Sequence, residues 1–296
     1  MISINSISDA WNTFFFAPEP ASTVGLVRIC LGLVLFVDSF LIWKIQRMYF
    51  SNTGVLTYKD WDTLGFDRHR FSIFKYCENG YYNNWIFLFY SLACLCFTLG
   101  LYTQISALFV FIMLVSIHHR NPYIFNSGDS LSRLIMFLMI FSRAGDGLSV
   151  DCYMNNKSQL YTYGEPWCER LMMIQLSVVY AYTSWAKICS NVWVKGDASY
   201  YPINLVSYKN NIVPKFLQKN PFVSIGSWLA LFVEQGMGFM VWVKDLRYPT
   251  LISAIIMHSV FAYCLKLEAF SFIMISCILI FIYPEDLSRW ISELLG

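Results

Sequence analysis

Residues 116–151, SIHHRNPYIFNSGDSLSRLIMFLMIFSRAGDGLSVD, form the most informative stretch of the chain, because polar residues stand there between two apolar runs. The first run closes on four polar side chains, those of His118, His119, Arg120 and Asn121. Pro122 cannot continue a helix and Gly128 ends the turn that follows, so the stretch predicts a helix, a break and a second helix. Polar residues beside apolar segments are costly unless they face a protected cavity, and we therefore expect a functional site here.

The second helix of this stretch begins with polar residues of its own. We expect Asp129 or Ser130 to accept hydrogen bonds from the free amides of the first turn. Asp129 and Arg133 lie one turn apart and are expected to form an ion pair.

The two adjacent histidines point in directions about 100° apart on a helix, so they cannot both face one site. His119 is the better site candidate because it adjoins Arg120 and Asn121. Two neighbouring histidines supply too few ligands for a metal ion, and no metal site is predicted.

The composition places the chain among membrane proteins. Of its 296 residues, 57% are hydrophobic and only 14% are charged. We predict an all-α fold, a polytopic transmembrane helical bundle with interfacial helices and about eight spans, since each span needs roughly 20 mostly apolar residues. The predicted spans are 22–43, 84–103, 105–119, 130–143, 169–188, 222–243, 249–267 and 269–284.

The same pattern divides the chain into three regions. Residues 1–20 suit a segment lying at the membrane interface, residues 21–285 form the transmembrane domain, and residues 286–296 form an amphipathic tail. The net charge of +2 and the absence of a basic run predict no nucleic-acid partner. We expect a multi-pass integral membrane protein, with the lipid bilayer as its surroundings.

A second informative stretch is RLMMIQLSVVYAYTSWAKICSNVWVKGDASYY, residues 170–201. Lys187 ends the fifth predicted span, with Tyr180 two turns back on the same face. Desolvation disfavours the charged form of a lysine at an apolar helix end, so this amine is a candidate general base. The alternative is a lysine that extends to the membrane surface, and the pattern leaves both open.

Three further ionisable residues stand inside apolar runs. Arg28 faces either the bundle interior or the interface. Glu234 is expected to pair with Arg28 or His258. His258 is interpreted as a proton carrier or as a hydrogen-bonding partner of a neighbouring helix.

Two of the nine cysteines flank a polar loop. Cys152 and Cys168 would form a disulfide if that loop faced an oxidising compartment, and would otherwise remain thiols.

Several motifs, in the order in which they occur, carry a family resemblance. They are GLVRICLGLVLFVDS at 25–39, an F-x-x-x-GVL element from Phe50 to Leu56, HHRNPYIFNSGD, GDGLSVD, QLSVVYxxTSxAK followed by WxxG, and the histidine of the seventh span ahead of LxLxxFS. Over roughly residues 20–285 the chain resembles the horizontally transferred transmembrane family, relatives of the membrane core of vitamin K-dependent gamma-carboxylase.

The resemblance implies chemistry on a reduced quinone, vitamin K hydroquinone or menaquinol, with oxygen and carbon dioxide as co-substrates. Lys187 matches the base that deprotonates the hydroquinone, and His119 and Asn121 fall where the carboxylase has an asparagine–histidine pair. The remaining expected cofactor-binding residues are Arg28, Arg120, Tyr180 and His258. A lyase of this kind would bind a lipophilic quinone and act on a secreted peptide or protein.

Three functions remain open from the sequence. The first is quinone epoxidation, with or without glutamate carboxylation. The second is a non-catalytic accessory role in the maturation or export of a secreted peptide, and the third is lipid binding or transport through the arginines. The orientation is also open, because the distribution of lysine and arginine places the Lys187 side in the cytoplasm whereas the resemblance places it outside.

Overall fold

The computed structural model describes residues 4–57, 60, 70–76, 82–124, 126–206, 208 and 213–296. This part of the chain is helical apart from loops and one pair of two-residue strands. It divides into two compact units, one made of residues 1–168 and 284–296 and the other of residues 169–283.

The first unit contains seven of the described α-helices and both strands. The helices are α1 (Ile4–Phe16), α2 (Ser22–Phe50), α3 (Asn83–Leu99), α4 (Thr103–Arg120), α5 (Ser127–Phe141), α6 (Val150–Met154) and, after the second unit, a C-terminal helix at Pro284–Leu295. Strand β1 (Glu19–Pro20) pairs antiparallel with β2 (Tyr163–Gly164).

The core of the first unit lies between α2 and α3, which pack along much of their lengths. Ser39 and Ser91 share a hydrogen bond of 2.8 Å across this interface. At one end, the rings of Phe50, Phe74 and Phe87 form a fully buried cluster with centroids 4.9 to 5.6 Å apart. Aromatic rings at these separations combine a large buried apolar area with favourable ring geometry.

The expected break after Arg120 is present, but the next helix is capped differently from the prediction. Asn126 is the N-cap: its Oδ1 accepts from the amides of Gly128 at 2.7 Å and Asp129 at 3.3 Å. Asp129 in turn accepts from the Asn126 amide at 2.7 Å, which completes a capping box. With its carboxylate turned back to the cap, Asp129 forms no ion pair with Arg133 among the described residues, so that expectation was wrong.

The tail forms the predicted helix and is anchored at its start. The Ser288 hydroxyl lies 2.9 Å from Ser22 Oγ and 2.8 Å from the Leu160 carbonyl, and its single proton is donated to one of these two oxygens. Ser22 also donates to the Pro284 carbonyl at 3.0 Å. These contacts attach the tail to the start of α2 and to the segment that precedes β2.

The second unit contains the remaining described helices. They are α7 (Trp167–Ile188), α8 (Asn191–Val194), α9 (Tyr200–Asn204), α10 (Phe222–Phe239), α11 (Lys244–Cys264) and α12 (Glu268–Ile278). The first two residues of α7 belong to the first unit. The C-terminal helix of the first unit, Pro284–Leu295, is numbered α13. Short 3₁₀ turns cover Lys215–Gln218, Met240–Trp242 and Leu279–Phe281.

Each of the eight predicted apolar segments contains a helix, but the count of eight spans is not confirmed. Among the described residues, three helices are long and apolar enough to cross a membrane: Ser22–Phe50, Thr103–Arg120 and Phe222–Trp242. A fourth candidate arises if Glu268–Phe281 and Pro284–Leu295 are counted as one broken span. Other helices are shorter than the prediction assumed; α5, for example, has 15 residues, or about 22 Å of helix against a hydrocarbon core of about 30 Å.

Candidate functional site

The candidate site of the second unit begins with an ion pair between α7 and α10. The Lys187 amine donates a hydrogen bond to Oε1 of Glu234, and the two side chains are 24% and 9% exposed. Lys187 ends an apolar helix and Glu234 interrupts another, so neither charge is in bulk water. A lysine placed in this way has a specific buried partner, which a lysine directed to the membrane surface would lack.

A tryptophan covers the other side of the amine. After α7 ends at Ile188, the chain turns and the short helix α8 carries Trp193 back toward Lys187. The amine lies 4.6 Å from the centroid of the Trp193 ring. The negative face of the indole attracts the ammonium, so the amine is in contact with both a carboxylate and an aromatic face.

Small residues allow α7 and α10 to approach closely enough for this contact. Gly238 packs against the backbone of Ala181, where an added Cβ would lie 3.1 Å from the Ala181 Cα. Ser177 donates to the Met237 carbonyl at 3.5 Å one turn earlier on α7. Small residues at such interfaces let helix backbones approach one another.

A second polar pair lies on the same face of α7. Tyr180 and His258 Nε2 share a hydrogen bond of 2.8 Å, and both side chains are buried. Phe261 and Phe270 pack edge-on against the imidazole with centroids 5.9 and 5.7 Å away. The histidine therefore occupies an aromatic environment with one specific hydrogen-bonding partner.

The two pairs form one cluster, which we call the lysine cluster and define as Tyr180, Lys187, Trp193, Glu234 and His258. Lys187 interacts electrostatically with His258, and Glu234 with Tyr180. Both cross-interactions join a member of one pair to a member of the other. The sequence predicted that Lys187, Tyr180 and His258 share a site, and the structure brings these three together.

Two atoms of the lysine cluster are buried and have no hydrogen-bond partner among the residues that the structure describes. They are Oε2 of Glu234 and Nδ1 of His258. Buried polar atoms are nearly always paired, so an orphan acceptor beside a functional group suggests a place for a ligand hydroxyl. A hydroquinone carries two hydroxyl donors on a flat apolar ring, and the cluster offers orphan polar atoms beside aromatic rings. The donor and acceptor chemistry of the cluster is therefore compatible with a hydroquinone, whose binding here stays a prediction.

Glu234 was expected to pair with Arg28 or His258, and this was wrong. Its observed partner is Lys187, while His258 bonds Tyr180. Arg28 belongs to the first unit and finds its partners there. The signal that points to Glu234 in the sequence is a carboxylate inside an otherwise apolar run. Nothing in the sequence indicates that Trp193 covers the amine, because this depends on the turn after α7.

Arg28 is fully buried in the first unit, and its two terminal nitrogens donate to backbone carbonyls, whereas its buried Nε has no partner among the described residues. Nη1 donates to the Ala144 carbonyl at 2.7 Å, and Nη2 donates to that of Leu148. The first of the resemblance motifs thereby binds the GDGLSVD motif. This geometry favours a structural role for Arg28, and its assignment to cofactor binding stays a prediction.

Arg120 joins another two motifs in the same way. Its Nη2 donates to the carbonyls of Leu56 at 2.6 Å and Ser51 at 3.3 Å, and the side chain is buried. The HHRN motif at the end of α4 therefore holds the GVL element that follows α2. A guanidinium suits this position because its fork of donors reaches two carbonyls at once.

His119 and Asn121 lie beside this contact, at the end of α4. His119 Nδ1 lies 3.0 Å from the Phe71 carbonyl. A carbonyl only accepts, so Nδ1 carries a proton and Nε2 is the nitrogen that can take another. Asn121 is buried and accepts from the Tyr123 amide at 3.2 Å. Both residues belong to the first unit and Lys187 to the second, so their predicted common site stays a prediction.

Cys152 is a thiol and forms no disulfide with Cys168. Its sulfur lies 3.6 Å from the Lys157 carbonyl and 3.3 Å from the Ser158 carbonyl, and its single S–H donates to one of them, which closes the turn after α6. Burial raises the pKa of the Cys152 thiol, so it remains protonated as a donor. Of the two states left open by the sequence, the structure shows the reduced one.

Comparison with known proteins agrees with the motifs. The chain matches the HTTM domain over residues 16–286, nearly its whole length. The chain belongs to the HTTM domain family. It is also 30% identical over 121 residues to "Uncharacterized protein YitO" of Bacillus subtilis (strain 168), and the alignment spans 39% of this chain and 39% of that relative. No solved structure matches the chain.

Membership in the HTTM domain family confirms the resemblance recognised in the sequence. The apolar helices and the HTTM domain together make this a membrane protein related to the carboxylase core. Within the family fold, the motifs are contact partners: Arg28 with the GDGLSVD loop, Arg120 with the GVL element, and Lys187 with the tryptophan of WxxG.

Proposed function

We propose that this HTTM domain protein is a membrane enzyme in which Lys187 removes a proton from a hydroxyl group of a reduced lipophilic quinone. The observation that carries the proposal is the position of the Lys187 amine. It contacts both the Glu234 carboxylate and the Trp193 ring, on the helix face that also presents the Tyr180–His258 pair. An amine poised near water but largely enclosed is suited to general base catalysis.

The other members of the lysine cluster have separate roles in this proposal. His258 Nδ1 and Glu234 Oε2 are the buried polar atoms that would orient a bound hydroxyl. Tyr180 fixes the imidazole through its hydrogen bond to Nε2. Phe261 and Phe270 exclude water from the histidine side, which strengthens the polar contacts within the cluster.

When bound, a hydroquinone would react with one molecule of oxygen to give the quinone epoxide and one molecule of water. This oxidation would generate the strong base that permits carboxylation of glutamate by carbon dioxide. We extend the proposal to menaquinol as the quinone, to a bundle of about eight spans and to the bacterial inner membrane. His119 and Asn121 are proposed to act in the same reaction, His119 through the nitrogen not bonded to Phe71.

The test is epoxide formation by the purified full-length chain in lipid nanodiscs. Reduced menaquinone and oxygen are supplied, and the epoxide is measured by mass spectrometry. We expect the wild-type protein to form epoxide. Lys187→Met should form epoxide at least about a hundredfold more slowly, as expected for loss of a general base. Lys195→Met, which changes an exposed lysine, should form epoxide at the wild-type rate. Unchanged turnover in Lys187→Met would remove Lys187 as the base.

A folded wild-type protein that forms no epoxide would overturn the proposal. The accessory role in maturing or exporting a secreted peptide would then be the better interpretation. Folding is checked in parallel by thermal unfolding of each variant in the same nanodiscs.

A further inference from the structure

We infer that Glu234 is a positioning residue that receives the proton of Lys187 itself, so that the two side chains act as one proton-holding pair. This inference rests on the proposed function of Lys187 and adds a residue that the sequence motifs do not include. The proton moves along the observed contact from Nζ to Oε1. The N–H bond breaks, an O–H bond forms, and the electron pair stays on nitrogen as the lone pair of the base.

The geometry supplies the reason for such a transfer. An ion pair and a neutral amine–acid pair contain the same number of protons, so their balance depends on the surroundings and not on the solution pH. Removing two charges from water is costly, and the carboxylate is only 9% exposed. The second oxygen, Oε2, has no partner that would stabilise a negative charge. This environment favours the neutral pair, and the neutral pair contains a free amine lone pair.

The groups that face this pair do not compete for the role. Tyr180 on α7 and His258 on α11 form a hydrogen bond with each other, and Trp193 has no titratable group. The Trp193 ring attracts the ammonium form of Lys187, and this attraction is set against the cost of burying two charges. Cys277 on α12 interacts electrostatically with Tyr180 and is a buried thiol. Among the described residues of the cluster, Glu234 is the carboxylate in contact with the amine.

The experiment measures how fast Lys187 reacts with an amine-selective acylating reagent as a function of pH. The full-length protein in nanodiscs is labelled briefly between pH 6 and 9, and each lysine-containing peptide is quantified by mass spectrometry. Only neutral amines react, so an ordinary lysine gains about tenfold in rate per pH unit. The exposed lysines Lys195 and Lys244 serve as internal references.

A proton shared internally gives a different profile. We expect the labelling rate of Lys187 to be nearly independent of pH in the wild-type protein, apart from any trend intrinsic to the reagent. In Glu234→Gln the amide cannot take the proton, so the labelling rate of Lys187 should again rise with pH, by up to about tenfold per pH unit, until the amine is fully deprotonated. The exposed Glu268→Gln is the matched control, because it removes a carboxylate from the same unit and should leave the flat profile unchanged.

The inference is overturned if Lys187 of the wild-type protein shows the same steep rise as Lys195, since the pair is then an ordinary ion pair. The pH profile of Lys187 in the wild-type protein decides this outcome by itself, so the test remains valid even if Glu234→Gln does not fold. The labelling requires no quinone, and its failure is therefore distinguishable from failure of the epoxidation test. A flat profile without epoxide would support the pair while removing the proposed enzyme activity.

Discussion

Replacing Arg28 by methionine is expected to destabilise the first unit strongly, because the guanidinium is fully buried and binds the 144–148 loop. Nη1 and Nη2 donate to the carbonyls of Ala144 and Leu148. Methionine fills a similar space but donates nothing, so both carbonyls lose a charged donor in a buried setting. The variant therefore separates a structural arginine from one reserved for a cofactor.

The magnitude follows from the number of bonds. A hydrogen bond from a charged group contributes about 1.5–3 kcal/mol, so two contribute about 3–6 kcal/mol. Part is regained, because the variant no longer has to desolvate a charge, and the net loss in free energy of unfolding is about 2–4 kcal/mol. Arg28→Lys keeps the charge but lacks the planar fork, and is expected to lose about 1.5–3 kcal/mol through one missing bond.

The assay is reversible unfolding of the full-length protein in mixed micelles by titration with SDS, followed by circular dichroism. Arg289→Met is the matched control: this arginine is 61% exposed and pairs with Asp286 three residues earlier, so its loss is expected to cost less than about 1 kcal/mol. The reasoning is refuted if Arg28→Met unfolds within the range of this control. A stable Arg28→Met protein that loses epoxide formation would instead support the cofactor-binding assignment.

Two further variants test other contacts with the same titration. Gly100 ends α3 with φ of 69°, and an added Cβ would lie 2.3 Å from Arg28 Nη1. Gly100→Ala is therefore expected to lower the free energy of unfolding by at least about 2 kcal/mol, of which about 1–2 kcal/mol comes from the left-handed backbone. An unchanged unfolding midpoint would contradict the described approach of Arg28 to this turn. Tyr180→Phe leaves both nitrogens of the buried His258 without a partner and is expected to lower the free energy of unfolding by about 1–3 kcal/mol. The control Tyr182→Phe changes a side chain that is 72% exposed and should leave the stability unchanged. Equal effects of the two variants would argue against the Tyr180–His258 hydrogen bond.

The start of α5 illustrates where local prediction succeeds and where it stops. The break at Pro122 and the helix beyond it were predictable, because proline and glycine act on the backbone within a few residues. The capping residue was not, since Asn126, Asp129 and Ser130 all carry suitable oxygens. The choice of Asn126 depends on backbone angles before the helix: it is extended, with φ of −117° and ψ of −175°.

The spans show a similar limit. Each apolar segment contains a helix because apolar residues at helical spacing are a local signal. Whether a helix crosses a bilayer depends on how many residues of the apolar segment are helical and how many lie in the adjoining loops. It also depends on where the charged residues lie. The α11 helix, for example, includes Lys244, Asp245 and Arg247 in its first turn. Segment counting on the sequence therefore gave eight spans, against three or four candidates among the described helices.

The sequence by itself determined the class of the protein, its family and the residues worth inspecting. Hydropathy, helix breaks and an ordered set of motifs are properties of the chain over short distances, and they pointed to Lys187, Arg28, Arg120 and His258. Only the tertiary structure decided the partners of these residues: Glu234 and Trp193 for Lys187, and loop carbonyls for Arg28. The physical reason is that a partner is selected by the rotation and close approach of helices far apart in the chain, and these depend on packing at positions such as Gly238 and Ala181.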